Sequence, residues 1–300
     1  PPPPPPPDTH TPTPHNSNPS LHDALPISEI RDEIAALRSA PPTVTIAGTV
    51  GAGLTAATDG RVTVPSVTAA MLDRGTTGHS RLALARELED HGLHLGVRTM
   101  GNAPTVVSFS AQGLAEELDR LAALLIEVLR FPVFPADELD RFRLKILGQL
   151  RREREDTSAQ AYSGLSRRLY PVGHPLHKRP IEVRESELEG VTRDDLEDFH
   201  LATYGTASLV LAVVGDVDPD AVAAKLSHGL ESWTGGPPPT PEYQALVDDG
   251  HGATRIHLSD RPNLDFFLGL GGRLLRGEAD FAAAGLSYSC LGQSALTSRL

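Results

Sequence analysis

Met71 to Gly96 reads MLDRGTTGHSRLALARELEDHGLHLG, and the order of its parts sets the fold class. A Gly75-Thr76-Thr77 turn separates Met71-Leu72 from a helix beginning near His79 or Ser80, with Leu82, Ala85 and Leu88 as its apolar strip. After Gly92 the period changes. Leu93, Leu95, Val97 and Thr99 alternate, as in a strand with one side turned inward.

The same mixture continues outward in both directions. Upstream, Thr43 to Gly48 (TVTIAG) is a short β-branched run, a strand by pattern, and Asp59-Gly60 is a turn signal. Downstream, GNAP (Gly101 to Pro104) turns the alternating strand into VVSFSA (Val106 to Ala111), a hairpin. Leu114, Leu118, Leu121, Leu125 and Val128 follow at helical spacing until RFPVFP (Arg130 to Pro135) breaks the helix. A second helix carries Leu139, Phe142, Ile146 and Leu150 on one face. Leu209 to Val214 (LVLAVV) reads as a buried strand, and GDVDPD opens a new helix at Asp218 or Asp220. The fold class is therefore α+β, a sheet layer with helices.

Two compositional breaks divide the chain. Residues 1–28 begin with seven prolines and show no apolar periodicity; SLHDALPI (Ser20 to Ile27) resembles translated sequencing-adapter read-through, so this stretch is expected to be a disordered or artefactual tail. Residues 29–42 connect it to a first domain over 43–235. A Pro/Gly linker spans 236–252 and begins inside the stretch TGGPPPTPEY (Thr234 to Tyr243). Thr254 to Ser259 then suggests a new strand, and 253–300 is expected to be the truncated start of a second domain.

Composition narrows the partners. A formal net charge of −12 argues against nucleic acid, whose phosphates require a basic face. A hydrophobic fraction of 39% supports a packed core, and no run of eighteen apolar residues offers a transmembrane segment. The single Cys290 rules out an internal disulfide framework and a cysteine-rich zinc site. Periplasm and cytoplasm both stay open as compartments.

Several stretches invite a chemical reading and have a plainer one. GTVGAG (Gly48 to Gly53) does not open a helix as a dinucleotide fingerprint must; its glycines suit a turn or bulge. His91 and His94 sit three apart, but with no further Cys or His close by they read, like Glu87 and Asp90, as surface residues. His174 and His177 fall in a Gly/Pro loop, and His200 packs at a helix end. RRERED (Arg151 to Asp156) alternates in sign and reads as a solvated helix face.

Taken in order, these stretches resemble the insulinase/pitrilysin family of inverted-zincin metallopeptidases. Met71-Leu72, Gly75-Thr76, Leu88-Glu89 and Gly92 match that family's frame. YPVGHPLHKRP (Tyr170 to Pro180), VTRDDLEDFHLATYG (Val191 to Gly205), LVLAVVGDVDPDAV (Leu209 to Val222) and Trp233 come next in family order. SDRPNLDFFLGLGG and LGQSALTSRL resemble the opening of a second, similar domain. The resemblance implies a two-layer sheet-plus-helices domain of the insulinase/processing-peptidase type.

In active members of that family the helix before Met-Leu carries H-x-x-E-H, two zinc ligands and the base between them. The frame puts those functions at Ser66, Ala69 and Ala70, and the third, glutamate ligand at Gln149. The resemblance thus implies no catalytic residue and no metal in this chain, with zinc expected in a catalytic partner subunit or half. Together the two halves would enclose a peptide substrate. The Arg and Tyr associated with substrate contact in the degenerate half would come after Ser298-Arg299-Leu300. Two alternatives stand beside this: a core-type scaffold subunit with no part in proteolysis, and an active enzyme whose catalytic half lay upstream on the same chain.

Overall fold

The computed structural model describes residues 42–57, 61–100, 103–235, 252–269, 278–288 and 290. The expected tail, the Asp59-Gly60 turn, Gly101 and Asn102, residues 236–251 of the linker and Ser298-Arg299-Leu300 lie outside them.

The β-branched run at the start of the domain extends into an eight-residue strand, β1 (Thr43–Val50). Its alternate side chains Val44, Ile46 and Val50 are fully buried. The other strands are β2 (His94–Met100), β3 (Ala103–Leu114) and β4 (Val210–Gly215). They pair antiparallel in the order β2-β3-β1-β4. The expected hairpin is the β2–β3 pair. Val107, Phe109, Ala111 and Val213 join the β1 side chains on one buried sheet face. Gly53 just after β1 meets the turn reading: a Cβ there would lie 2.4 Å from the Val106 backbone nitrogen.

The helices are α1 (Thr63–Met71), α2 (Arg81–Asp90), α3 (Leu118–Arg130), α4 (Ala136–Glu155), α5 (Thr157–Leu169), α6 (Ile181–Gly190), α7 (Arg193–Thr203), α8 (Pro219–Leu230) and α9 (Phe281–Tyr288). Ser80 caps α2, its hydroxyl accepting from the Ala83 N–H. Asp218 caps α8, with Pro219 in the first helical position where its missing N–H costs nothing. Thr192 and Asp195 form a reciprocal capping box on α7. α3 supplies the deepest helical stripe, burying Leu121, Leu125, Val128 and Leu129 to 1% exposure or less.

Four expectations change. On α2 the inward residue is Leu84, while Leu82 of the expected strip is exposed. The apolar run of β4 is not buried throughout: β4 is an edge strand, and Val210 and Val214 are exposed. The series at helical spacing began at Leu114, but Leu114 ends β3, paired with Thr43. The ladder to β1 claims it first, and one 3-10 turn (Ala115–Glu117) intervenes before α3. Thr254 to Ser259 forms no strand. A strand needs a hydrogen-bonded neighbour; here the chain runs along α5 instead. Arg261 reaches Glu155 at 2.8 Å, Asn263 bonds Thr157, and Phe267 packs edge-on against Tyr162 at 5.7 Å. Between these inward contacts, Leu264, Phe266 and Leu268 turn outward, 90%, 82% and 71% exposed. Among the described residues, no helix is long and apolar enough to cross a membrane.

Candidate functional site

α1 begins at Thr63 and places Pro65 in its first turn, where a helix tolerates the missing N–H. Val64, Pro65, Val67, Thr68, Ala69 and Met71 are buried, so the helix is enclosed on most sides by β2, α6 and α7. Thr68, fully buried, donates its hydroxyl to the Val64 carbonyl at 2.9 Å. Its N-terminal end is pinned by polar contacts: Arg61 to Asp195 at 2.8 Å, the Thr63 hydroxyl to Glu187 at 2.6 Å, and Arg179 to both Glu187 and Thr63. The Arg61 guanidinium, with the Thr192 backbone and hydroxyl, outweighs burial and holds the Asp195 carboxyl down to about 2.

The helix brings Ser66, Ala69 and Ala70 together by its own geometry, Ser66 and Ala70 one turn apart and half-buried, Ala69 in the core. The two alanines end at Cβ, and a neutral serine hydroxyl is a poor ligand beside imidazole and carboxylate. Gln149 is exposed on α4, whose main packing is against α5 and α6. Its neutral amide is a poor zinc ligand beside imidazole and carboxylate. This donor set does not fit zinc.

The turn after α1 is stitched to the α3–α4 connector. Val133 donates to the Gly75 carbonyl and Thr77 to the Phe131 carbonyl, both at 3.0 Å. Arg74 and Arg81 each lie 3.7 Å from one oxygen of buried Glu138; that oxygen makes no hydrogen bond among the described residues. Burial pushes the neighbouring Asp73 carboxyl up, and Arg74 only partly offsets it.

Sequence reasoning missed a second cluster. Thr76, Gly78 and His79 wrap the Glu127 carboxylate: the Thr76 hydroxyl donates to it, and His79 Nδ1 lies 2.9 Å away. Gly78 permits this approach, since a Cβ there would stand 2.7 Å from Glu127 Oε1. Burial pushes Glu127 up, but the Thr76, His79 and Gly78 donors together hold it below the usual carboxylate value. A cavity of about 540 Å³ opens beside it, lined among others by Glu87, Glu117, Asp119 and Arg120. These charges are spent on one another. Arg120 bonds Glu87 and Glu117, His91 lies 3.1 Å from Glu117, and Lys225 pairs with Asp119. Among the described residues no group of His, Cys, Asp and Glu could hold a metal ion.

His94 is exposed, as expected, whereas His91 is a clamp between the end of α2 and Glu117. His174 accepts the Leu176 N–H, and His177 bonds the Tyr170 carbonyl, which gives both loop roles. The RRERED face is solvated except at Glu153. Arg184 and Lys178 outweigh burial there and hold the carboxyl below its usual value.

Residues 190–300 match the family described as the peptidase M16 inactive domain. The fold resembles the crystal structure of a peptidase M16 inactive domain from Pseudomonas fluorescens, with a TM-score of 0.62 at 22% identity, over 71% of this chain and 50% of that one. An uncharacterized zinc protease of Rickettsia felis is 25% identical over 162 residues, 54% of this chain and 38% of the relative. Over these stretches the chain is similar to proteins of the insulinase (M16) peptidase family. It is also similar to the mitochondrial-processing peptidase subunit beta of Caenorhabditis elegans, 24% identical over 54% of this chain and 36% of the relative. The same identity and coverage hold for the non-peptidase homolog YmxG of Helicobacter pylori. The match spans less than two fifths of each of these relatives' length.

Proposed function

We propose that this chain is the non-catalytic subunit or half of an insulinase-type peptidase, completing a peptide-binding chamber whose zinc and chemistry come from a partner. The observation that carries this reading is α1. That helix is formed and largely buried, and this reading sets Ser66, Ala69 and Ala70 where the family places ligand, base and ligand, with Gln149 at the fourth position. In this reading residues 43–235 form the degenerate domain, 236–252 the linker, and 253–300 the start of its second, similar domain. A relative named as one subunit of a processing peptidase, and another named a non-peptidase homolog, support an unequal pair. What this chain contributes is shape: a rigid helix and sheet edge against which a peptide is held, with no group on α1 to move a proton.

The test uses the full chain, alone and mixed with a zinc-bearing family member encoded beside it, on an internally quenched peptide. Alone it should give no chelator-sensitive cleavage and carry no stoichiometric zinc by elemental analysis; with the partner, cleavage should rise above the partner's own. Chelator-sensitive cleavage by the chain alone would overturn the proposal. A stable complex whose cleavage rate equals the partner's own would favour the scaffold reading.

A further inference from the structure

The α3–α4 connector rests on an unusual residue. Phe134 is 1% exposed and has φ of 45°, in the left-handed region that a bulky side chain rarely adopts. Such a conformation persists only where its surroundings hold it. The ring of Phe134 packs edge-on against His200 of α7, centroids 5.9 Å apart. His200 in turn stacks on Tyr204 at 4.7 Å, and Tyr204 meets Phe199 edge-on. His200 Nε2 lies 2.8 Å from the Leu129 carbonyl at the end of α3, so that nitrogen is a donor and Nδ1 is the bare one in the neutral ring.

We propose that His200 is a proton-sensitive pin: taking a second proton unseats the Phe134 connector and loosens the α1–α2 turn bonded to it. The neutral ring suits an aromatic box, whereas an imidazolium needs an anion that the box does not supply. On α7, Glu197 is engaged by Arg193 at 2.5 Å and Asp198 is exposed. Tyr204 is fully buried, and burial keeps its hydroxyl protonated and uncharged. On α3, Arg130 follows Leu129 and is itself a cation, bound to the Gly229 carbonyl and Ser232. The connector residues 131–135 contain no ionisable side chain. Burial lowers the His200 value, and the Leu129 carbonyl only partly restores it. The direction is then fixed: stability from this group is complete above the ordinary histidine value of about 6.5 and is lost as pH falls from there toward the folded value. His200 keeps part of its surface exposed, so protons reach it in the folded state. The mechanical link is backbone. Phe131 and Val133 exchange hydrogen bonds with Thr77 and Gly75, and Thr76 bridges Pro132.

Hydrogen exchange of the full chain at pH 7.5 and 5.5, corrected for intrinsic rates, tests this. Protection at the Thr77 and Val133 amides should fall several-fold at the lower pH, while the β1–β3 ladder amides hold. His200→Gln keeps a donor for the Leu129 carbonyl and cannot take the second proton, so it should remove the difference; His174→Gln should not. Equal protection at both pH values, or the same loss in His200→Gln, would overturn the proposal. If that variant does not fold, the His200 ring resonances of the wild-type chain decide. The midpoint of the protection loss must coincide with their titration, and a separate midpoint refutes the pin.

Discussion

Helix α1 and the hollow between α2 and α3 hold opposite halves of what a site requires. α1 has position: a buried frame pinned at one end by Arg61, Thr63 and Arg179 and at the other by the turn at Gly75. Its half-buried positions Ser66 and Ala70 have no chemistry. The hollow has chemistry in abundance, with Glu87, Glu117, Asp119, Glu127 and His79 around one cavity. Those groups have no freedom, because each carboxylate but one faces a cation, and Glu127 is wrapped by three donors. Reactive residue types on a cavity wall do not make a site when their charges are already neutralised by neighbours.

The contrast can be broken by substitution. Met71→Ala removes a fully buried side chain from the end of α1 and should cost about 3 kcal/mol, read as a lower urea midpoint with unchanged slope. If α1 is instead a loosely seated helix, the loss will be small. Glu127→Gln weakens the wrapped carboxylate in the hollow and should cost roughly 1–2 kcal/mol at neutral pH. Its value is depressed in the folded chain, so its stabilisation is present above about pH 4.5 and is lost as pH falls through the folded value. The gap between wild type and Glu127→Gln should therefore narrow on acidification below that point, and a gap that stays constant to pH 3 would show that the carboxylate is not what holds the turn. The smallest effect belongs to Ser66→Ala, below about 0.5 kcal/mol with no change in partner-dependent cleavage. A large loss of that cleavage would give Ser66 a role in peptide contact.

What the residue pattern revealed was local. The Ser80 and Asp218 caps and the β2–β3 hairpin depend on neighbours within a few residues, and each emerged in the structure. The α2 strip and the burial of β4 did not, because which face is covered is decided by distant elements: Leu84 packs inward in place of Leu82, and β4 lies at the sheet edge with Val210 and Val214 exposed. Leu114 was misassigned because its helical spacing to Leu118 is real, and only the long-range pairing with Thr43 overrides it. The Glu127 cradle was invisible for the same reason. Thr76 and His79 sit in a turn and Glu127 in a helix, 48 residues from His79, and nothing in either stretch announces the other. The Gly-Thr-Thr-Gly-His order was a partial signal: a glycine just before a histidine at a helix start leaves room for something to approach. Thr254 to Ser259 failed differently. Its β-branched pattern states a preference for pairing, and a strand exists only where a neighbour supplies the other half of the ladder.

The outward row of Leu264, Phe266 and Leu268 has a consequence for how this chain behaves in a tube. A net charge of −12 keeps copies apart by repulsion at low ionic strength. Salt shortens that repulsion to roughly 10 Å at 0.1 M. The three side chains then form a sticky row on the described surface. Buffers chosen to quiet electrostatics should therefore be the ones in which this protein scatters light.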